Sequence, residues 1–269
     1  MAITTLDGVI AGAQPPEFFQ KAVSGTLVAG RPHSFWPIGG KPGAGGQNGT
    51  LAGATLTSPV AGQIPFSNPG VGLNAYLSRF LGSALQPGTL ILADRLWSNG
   101  GFTITSATAQ TVNSVAWPAR DHDGSTNGRG VLLGVEVSGA TGAGTPTITV
   151  SYTESQVPTA GRTGTNSVAT VASSIVGTFY PIGLQAGDVG VRSVQTLTLS
   201  ATWTSGTINL VAYRPIASIP IVGAGIPGIV DAITGNMPRL YNGTVPFLIF
   251  IPSTTTTTTV QGDVGFTHG

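Results

Sequence analysis

The sequence has no cysteine, so neither disulfides nor thiolate metal sites can hold its fold, and synthesis in a reducing cytosol is compatible with it. Charge is almost as scarce. Lys, Arg, Asp and Glu make up 8% of the chain, against about 25% in an ordinary soluble domain. The 11 Lys and Arg are scattered singly and offset by 10 acids, which leaves no basic stripe to neutralise phosphates and argues against nucleic acid as a direct partner. Glutamate occurs only at Glu17, Glu136 and Glu154, and no G-x-S-x-G is present. Paired carboxylates for hydrolysis and a serine nucleophile elbow are therefore both missing, and no enzyme activity is expected. The opening MAITTLDGV lacks a basic region followed by an apolar one, so no secretory signal is expected. The most apolar run, Ile219 to Val230, is too short to span a bilayer and contains Pro220 and Pro227, so no membrane partner is expected either.

What is abundant is Gly, at 40 residues, and Pro, at 19, with a mean hydropathy of +0.27. A surface faced with Thr, Ser, Asn, Gly and apolar groups lacks the mixed charge that keeps monomers apart. The expectation is a protein whose surface is largely covered by neighbours, as a homo-oligomer within a large assembly.

The plainest local signal is Thr196 to Tyr213. Leu197, Leu199, Ala201 and Trp203 alternate with Thr196, Thr198, Ser200 and Thr202, the period of two of a half-buried strand. Thr204-Ser205-Gly206 then interrupts the alternation before Ile208, Leu210 and Ala212 resume it, which predicts a hairpin. Further strands are predicted at 75–85, 89–97, 111–117, 131–137, 147–152, 167–176 and 244–252. Asn99-Gly100 reads as a type I′ turn, and SGATGAGTP at 138–146 as a longer hairpin loop. Strands at this spacing indicate a mainly β, antiparallel sandwich or jelly-roll-like core.

Three segments are expected. Residues 1–74 form an extended, proline- and glycine-rich N-terminal arm with a short helix at 15–22, where Pro15 and Pro16 precede EFFQKA. Residues 75–215 form the antiparallel core. Residues 216–269 pack on it, with a second short helix at 226–234 and a Thr-rich stretch, Thr254 to Thr259, read as a last strand or a tail ordered on contact. A linker would be poorer in aromatics than the first segment. Phe18, Phe19, Phe35 and Trp36 are therefore the candidate partner-binding residues, with Thr254 and Thr256 as a second contact.

Other motifs carry less. Gly223-Ala-Gly225-Ile-Pro-Gly228 matches a dinucleotide fingerprint, but Pro220 sits in the strand position and no acid follows about twenty residues on. Asp121-His122-Asp123-Gly124 gathers cation ligands, yet its Gly is fourth rather than sixth and no Glu closes the loop, so a turn is the better reading. His33 and His268 have no neighbouring ligand in sequence, so no metal or other cofactor is expected. Asp94, Arg95 and Glu136 lie on strands. Charges this rare are expected to be paired at interfaces, so that Asp94→Ala weakens assembly more than folding. Trp36, Trp97, Trp117 and Trp203 suit sugar stacking or core filling, the latter being the commoner use.

Finally, MAITTLDGVIAGAQPPEFFQKA, VAGRPHSFW, SATAQTVNSVAWPARD and PRLYNGTVPFLIFIPSTTTT resemble segments of poorly characterised structural proteins of tailed bacteriophages. The resemblance implies a virion component made in the host cytoplasm. It would be a head decoration or cement protein that bridges the major capsid protein and further copies of itself. The alternatives are a tail or baseplate protein, or a carbohydrate-binding receptor module. No catalytic residues follow from the resemblance.

Overall fold

The computed structural model describes residues 3–269; the first two positions of the MAITT opening, and of the expected 1–74 segment, lie outside the described residues. Among the described residues the strands form two antiparallel sheets, and the mainly β, antiparallel expectation holds.

The smaller sheet has six strands. In spatial order its path runs β14 (Gly228–Asp231), β5 (Ala75–Ala84), β17 (Thr259–His268), β1 (Glu17–Ala22) and β3 (Gly40–Lys41), and β15 (Arg239–Leu240) pairs with β5 as well. The larger sheet has eleven. Its path runs β2 (His33–Ser34), β16 (Pro246–Pro252), β6 (Gly88–Ser98), β13 (Thr207–Ile221), β8 (Leu132–Gly139), β11 (Phe179–Gly183), β10 (Arg162–Asn166), β9 (Ile148–Glu154), β12 (Val191–Leu199) and β7 (Gln110–Thr111), with β4 (Ala54–Thr55) added on β6.

The larger sheet curls over itself. Leu133 and Val135 of β8, Val150 and Tyr152 of β9, Leu197 and Leu199 of β12, and Ile208 and Leu210 of β13 all bury in one cluster, together with Trp97, Trp117 and Trp203. The smaller sheet packs face to face on the other end of the same long strands, where Leu90 and Leu92 of β6 and Ile219 and Ile221 of β13 meet Phe19, Phe80 and Val264. β13 thus supplies one end to each core. Register shifts between Ala212 and Tyr213 and between Pro215 and Ala217 mark the crossing, as expected where a strand changes the layer it packs against.

Several expectations are corrected by this topology. Thr196 to Tyr213 is not a hairpin: β12 pairs with β9 and β7, whereas β13 pairs with β6 and β8. Trp203 explains the difference. Its ring fills the core between the layers, and its indole N–H donates to Val171 O at 3.2 Å, so the chain arches over the core instead of reversing beside itself. Asn99-Gly100 is not a hairpin turn either, because Asn99 is buried and bridges to β13, its Oδ1 accepting from Leu210 N at 2.8 Å. SGATGAGTP joins β8 to β9, which are not partners, so it crosses between layers. Of the predicted 111–117 region only Thr111, the end of β7, is strand, and 167–176 is irregular between β10 and β11.

Both predicted short helices are strands or turns. EFFQKA is β1, because Phe19 and Lys21 alternate inward against Phe18 and Gln20 outward, and it pairs with β17 on one side and β3 on the other. Residues 226–234 hold β14 followed by a turn closed by Asp231. The only α-helix among the described residues is α1, Leu6–Ala11, which Thr5 caps by accepting from Gly8 N at 3.1 Å.

Apart from α1, residues 3–74 run extended, but across the chain's own body. Phe19, Phe35 and Phe66 share one cluster with Phe80 and Leu90 from the middle of the chain and with Leu248 and Val264 from its end. The accessible surface is 10536 Å², close to the roughly 10,800 Å² a compact monomer of this mass exposes. An arm standing free would add to that figure. The physical reason is that the prolines interrupt strands while the aromatics between them supply the apolar area that pins the segment down.

Candidate functional site

The six expected contact residues separate. Phe19, Phe35 and Trp36 are buried in the chain's own cores, at 2%, 1% and 0% exposure, and only Phe18 of the four aromatics faces solvent. Thr254 and Thr256 are exposed, but their stretch is tied down: Thr254 Oγ1 contacts Gln86 Oε1 at 2.5 Å, and Thr256 O accepts from Leu27 N at 3.0 Å. They lie beyond the start of β17, whereas Phe18 stands opposite Asp263 in its middle.

Around Phe18 the register builds a continuous face. Phe18 pairs with Asp263, Asp263 with Leu81 and Leu81 with Ile229, so one row of side chains crosses β1, β17, β5 and β14 on the side away from the core. Phe18 and Ile229 are each about half exposed, at 54% and 52%. Asp263 sits between them, neutralised by Arg79, whose Nε donates to Asp263 Oδ1 at 2.7 Å. Lys41 Nζ stands 5.7 Å from the Phe18 ring centroid, in cation–π range. On the opposite face of the same strands Gly82 and Gly262 leave room for the Phe19 ring, which locks the sheet to its core.

The face extends onto α1. That helix buries none of its residues, and Leu6 and Ile10 are 56% and 65% exposed. It is nevertheless fixed: Thr267 Oγ1 donates to Val9 O at 2.9 Å, and His268 N donates to Gly12 O at 2.9 Å. Facing it is the turn after β14, where Asp231 Oδ1 accepts from Ile233 N at 3.0 Å and Thr234 N at 2.9 Å and projects Ile233 at 79% exposure. The Thr234 backbone and hydroxyl bonds, then the Ile233 bond, hold this carboxyl below its ordinary value. Between helix and turn lies a groove of about 500 Å³, lined by Leu6, Ile10, Arg79, Asp231 and Ile233 among others. Hydrogen bonds thus hold apolar side chains open to water. Exposed apolar side chains gathered on one face, with Arg79, Asp231 and Asp263 among them, make it the candidate interaction site.

Sequence reasoning missed Leu6, Ile10, Leu81, Ile229 and Ile233. A signal existed for two of them: Thr5 followed by Leu6, Val9 and Ile10 is a capped start with apolar residues at helical spacing. The others depend on long-range register.

The charged residues expected at interfaces are inside. Arg95 makes two bonds of 3.0 Å to Glu136, both side chains being fully buried, and lies 4.7 Å from the Trp36 ring centroid. Glu136 also accepts from Ser34 Oγ at 2.5 Å and Gln47 Nε2 at 3.2 Å. Asp94 accepts from Arg120 Nε at 3.0 Å and Val245 N at 2.8 Å. Asp94→Ala is therefore expected to cost folding rather than assembly, since its partners belong to the same core. Lys21 Nζ donates to Phe35 O and Ile38 O at 2.9 Å each. Burial lowers it to about 8, against a smaller raising effect of Glu136.

The remaining motifs serve geometry. Asp121 accepts from Asp123 N, Ser125 N and Gly128 N. Burial works to raise its carboxyl, but these bonds and the Ser125 hydroxyl hold it below its ordinary value. Gly223 to Gly228 is the connection from β13 to β14, with Gly225 at φ 73°. All four Trp side chains are buried, in accord with the core-filling use.

No family model matches the chain, and no curated protein matches it. Solved structures that it matches include some of infectious bursal disease virus. One is the crystal structure of the VP2 subviral particle, at 8% identity over 95% of this chain and 80% of that chain, with a TM-score of 0.23. Another is the Gt strain structure, at 15% identity over 78% of this chain and 42% of that chain, with a TM-score of 0.19. Likeness at this level establishes no shared topology.

Proposed function

We propose that the chain is a non-enzymatic structural protein of a bacteriophage particle, a head decoration or cement protein that joins major capsid subunits and sits beside copies of itself. It is made in the host cytoplasm and carried in the virion. The observation that carries this reading is the exposed apolar face from Leu6 and Ile10 through Phe18 to Ile229 and Ile233, held on a rigid sheet. The sequence resemblance to phage structural proteins and the scarcity of charge agree with it. The mechanism is adhesive. Burying such a face against a neighbour removes apolar area from water, at about 25 cal/mol per Å². About 1,000 Å² makes a specific contact, and repetition over a lattice multiplies its effect.

The receptor alternative is disfavoured because it needs exposed Trp for stacking on sugars, and none of the four is exposed. The test is co-sedimentation of the full chain with empty, tailless heads, comparing wild type with an Ile10→Ser, Phe18→Ser, Ile233→Ser variant. The expected result is retention of wild type and loss of the variant at an unchanged denaturation midpoint. Equal retention of both, or no retention of wild type, would overturn the proposal.

A further inference from the structure

A second site stands apart from the apolar face. The segment from Ser24 to His33 crosses the loop between β10 and β11, held by Ser24 Oγ donating to Val176 O at 3.2 Å and by pairing of His33 with Thr178. Between them is a cavity of about 150 Å³, whose polar lining includes Thr26, Arg31, His33, Ser173 and Thr178 and contains no carboxylate.

Two of its polar side chains lack partners. His33 is 1% exposed, yet neither ring nitrogen has a hydrogen-bond partner among the described residues. Gly177 packs so closely that a Cβ there would stand 2.5 Å from His33 Cε1, so the imidazole has little freedom to turn away. Arg31 Nε is buried and likewise unpartnered, and none of the ion pairs among the described residues involves Arg31. Buried polar groups are nearly always satisfied, so two adjacent orphans lining one cavity call for a partner. Arg95 and Arg120 are held by carboxylates and Lys21 by carbonyls, although Arg95 Nε and Arg214 Nη2 also lack partners. Arg31 is half-buried without any such compensation.

We propose that this cavity binds a small oxyanion, a carboxylate or phosphate group, held by the Arg31 guanidinium and by an N–H of His33. The guanidinium fork matches such groups geometrically, and an acid-free lining leaves nothing to repel them. The volume suits a small group. It lies well below the roughly 300 Å³ at which pockets for drug-sized ligands begin, which matches acetate or inorganic phosphate. The inference does not depend on the adhesive face, which lies on the other sheet.

The test is a titration of the full chain, in chloride buffer at neutral pH, with sodium acetate and separately with sodium phosphate. The ring ¹⁵N resonances of His33 are followed by NMR. A saturable shift at millimolar ligand is expected with at least one of the two, weakened at least tenfold in Arg31→Gln; which of the two saturates identifies the oxyanion class. Arg31→Lys, which keeps the charge without the fork, should fall between. No saturable shift of His33 with either anion in wild type would overturn the proposal, whether or not the variants fold. Equal affinity in a folded Arg31→Gln variant would overturn it too.

Discussion

Arg95 is the residue on which the interior depends most visibly. It joins β6 to Glu136 on β8 across the intervening β13, between the rings of Trp36 and Phe247. Removing one member of a buried pair strands the other, at about 3–5 kcal/mol. Arg95→Met should lower the unfolding free energy by about that amount in urea denaturation, and Glu136→Leu in the same background should recover part of it. His33 gives a pH effect of opposite character. Burial pushes it down to about 3 from an ordinary 6.5. The unfolded chain therefore takes up a proton below about 6.5 that the folded chain refuses, and stability falls as pH drops through that value. Denaturation midpoints of wild type should decline from pH 7 to pH 5, above the carboxylate range, and His33→Gln should flatten that decline. The composition said that charges would be paired. It could not say that they would be paired inside, because Asp94, Arg120, Arg95 and Glu136 meet only through strand order.

At the scale of the element, alternating runs were readable where one strand face is more buried than the other, as in Ala75–Ala84 and Ile148–Glu154, and so was the continuous apolar run Pro246–Pro252, buried on both faces; all three lie within a few residues of their predicted bounds. Partners were not readable. The Thr196 to Tyr213 stretch has the composition of a hairpin, yet each half pairs elsewhere, because a buried Trp203 favours an arch between layers. EFFQKA has a proline start suited to a helix, but alternating burial between two neighbouring strands outweighs local propensity. Glycine on β5 gives a test of the packing beneath the face. A Cβ at Gly82 would stand 2.8 Å from Leu90 Cδ2 and 3.3 Å from Phe19 Cζ. Gly82→Ala should cost about 1–3 kcal/mol in chemical denaturation through overpacking, even though Ala suits a strand better than Gly.

For the whole molecule, the N-terminal segment changes character. Its prolines and aromatics suggested an arm reserved for a partner, whereas Phe19, Phe35, Trp36 and Lys21 close the chain's own cores. Removing residues 1–40 takes away β1, β2 and these side chains. Loss of cooperative unfolding, readable by circular dichroism, is the expected result of that truncation. The proposed adhesive role moves to what that packing leaves outside: the outer row of the six-stranded sheet and α1, legible in sequence only at Phe18. The most direct measurement is a cryo-EM reconstruction of the phage particle at a resolution that traces this chain. The predicted result places it on the head with Leu6, Ile10, Phe18, Ile229 and Ile233 buried against a capsid neighbour. A chain absent from the head, or present with that face open to solvent, would contradict it.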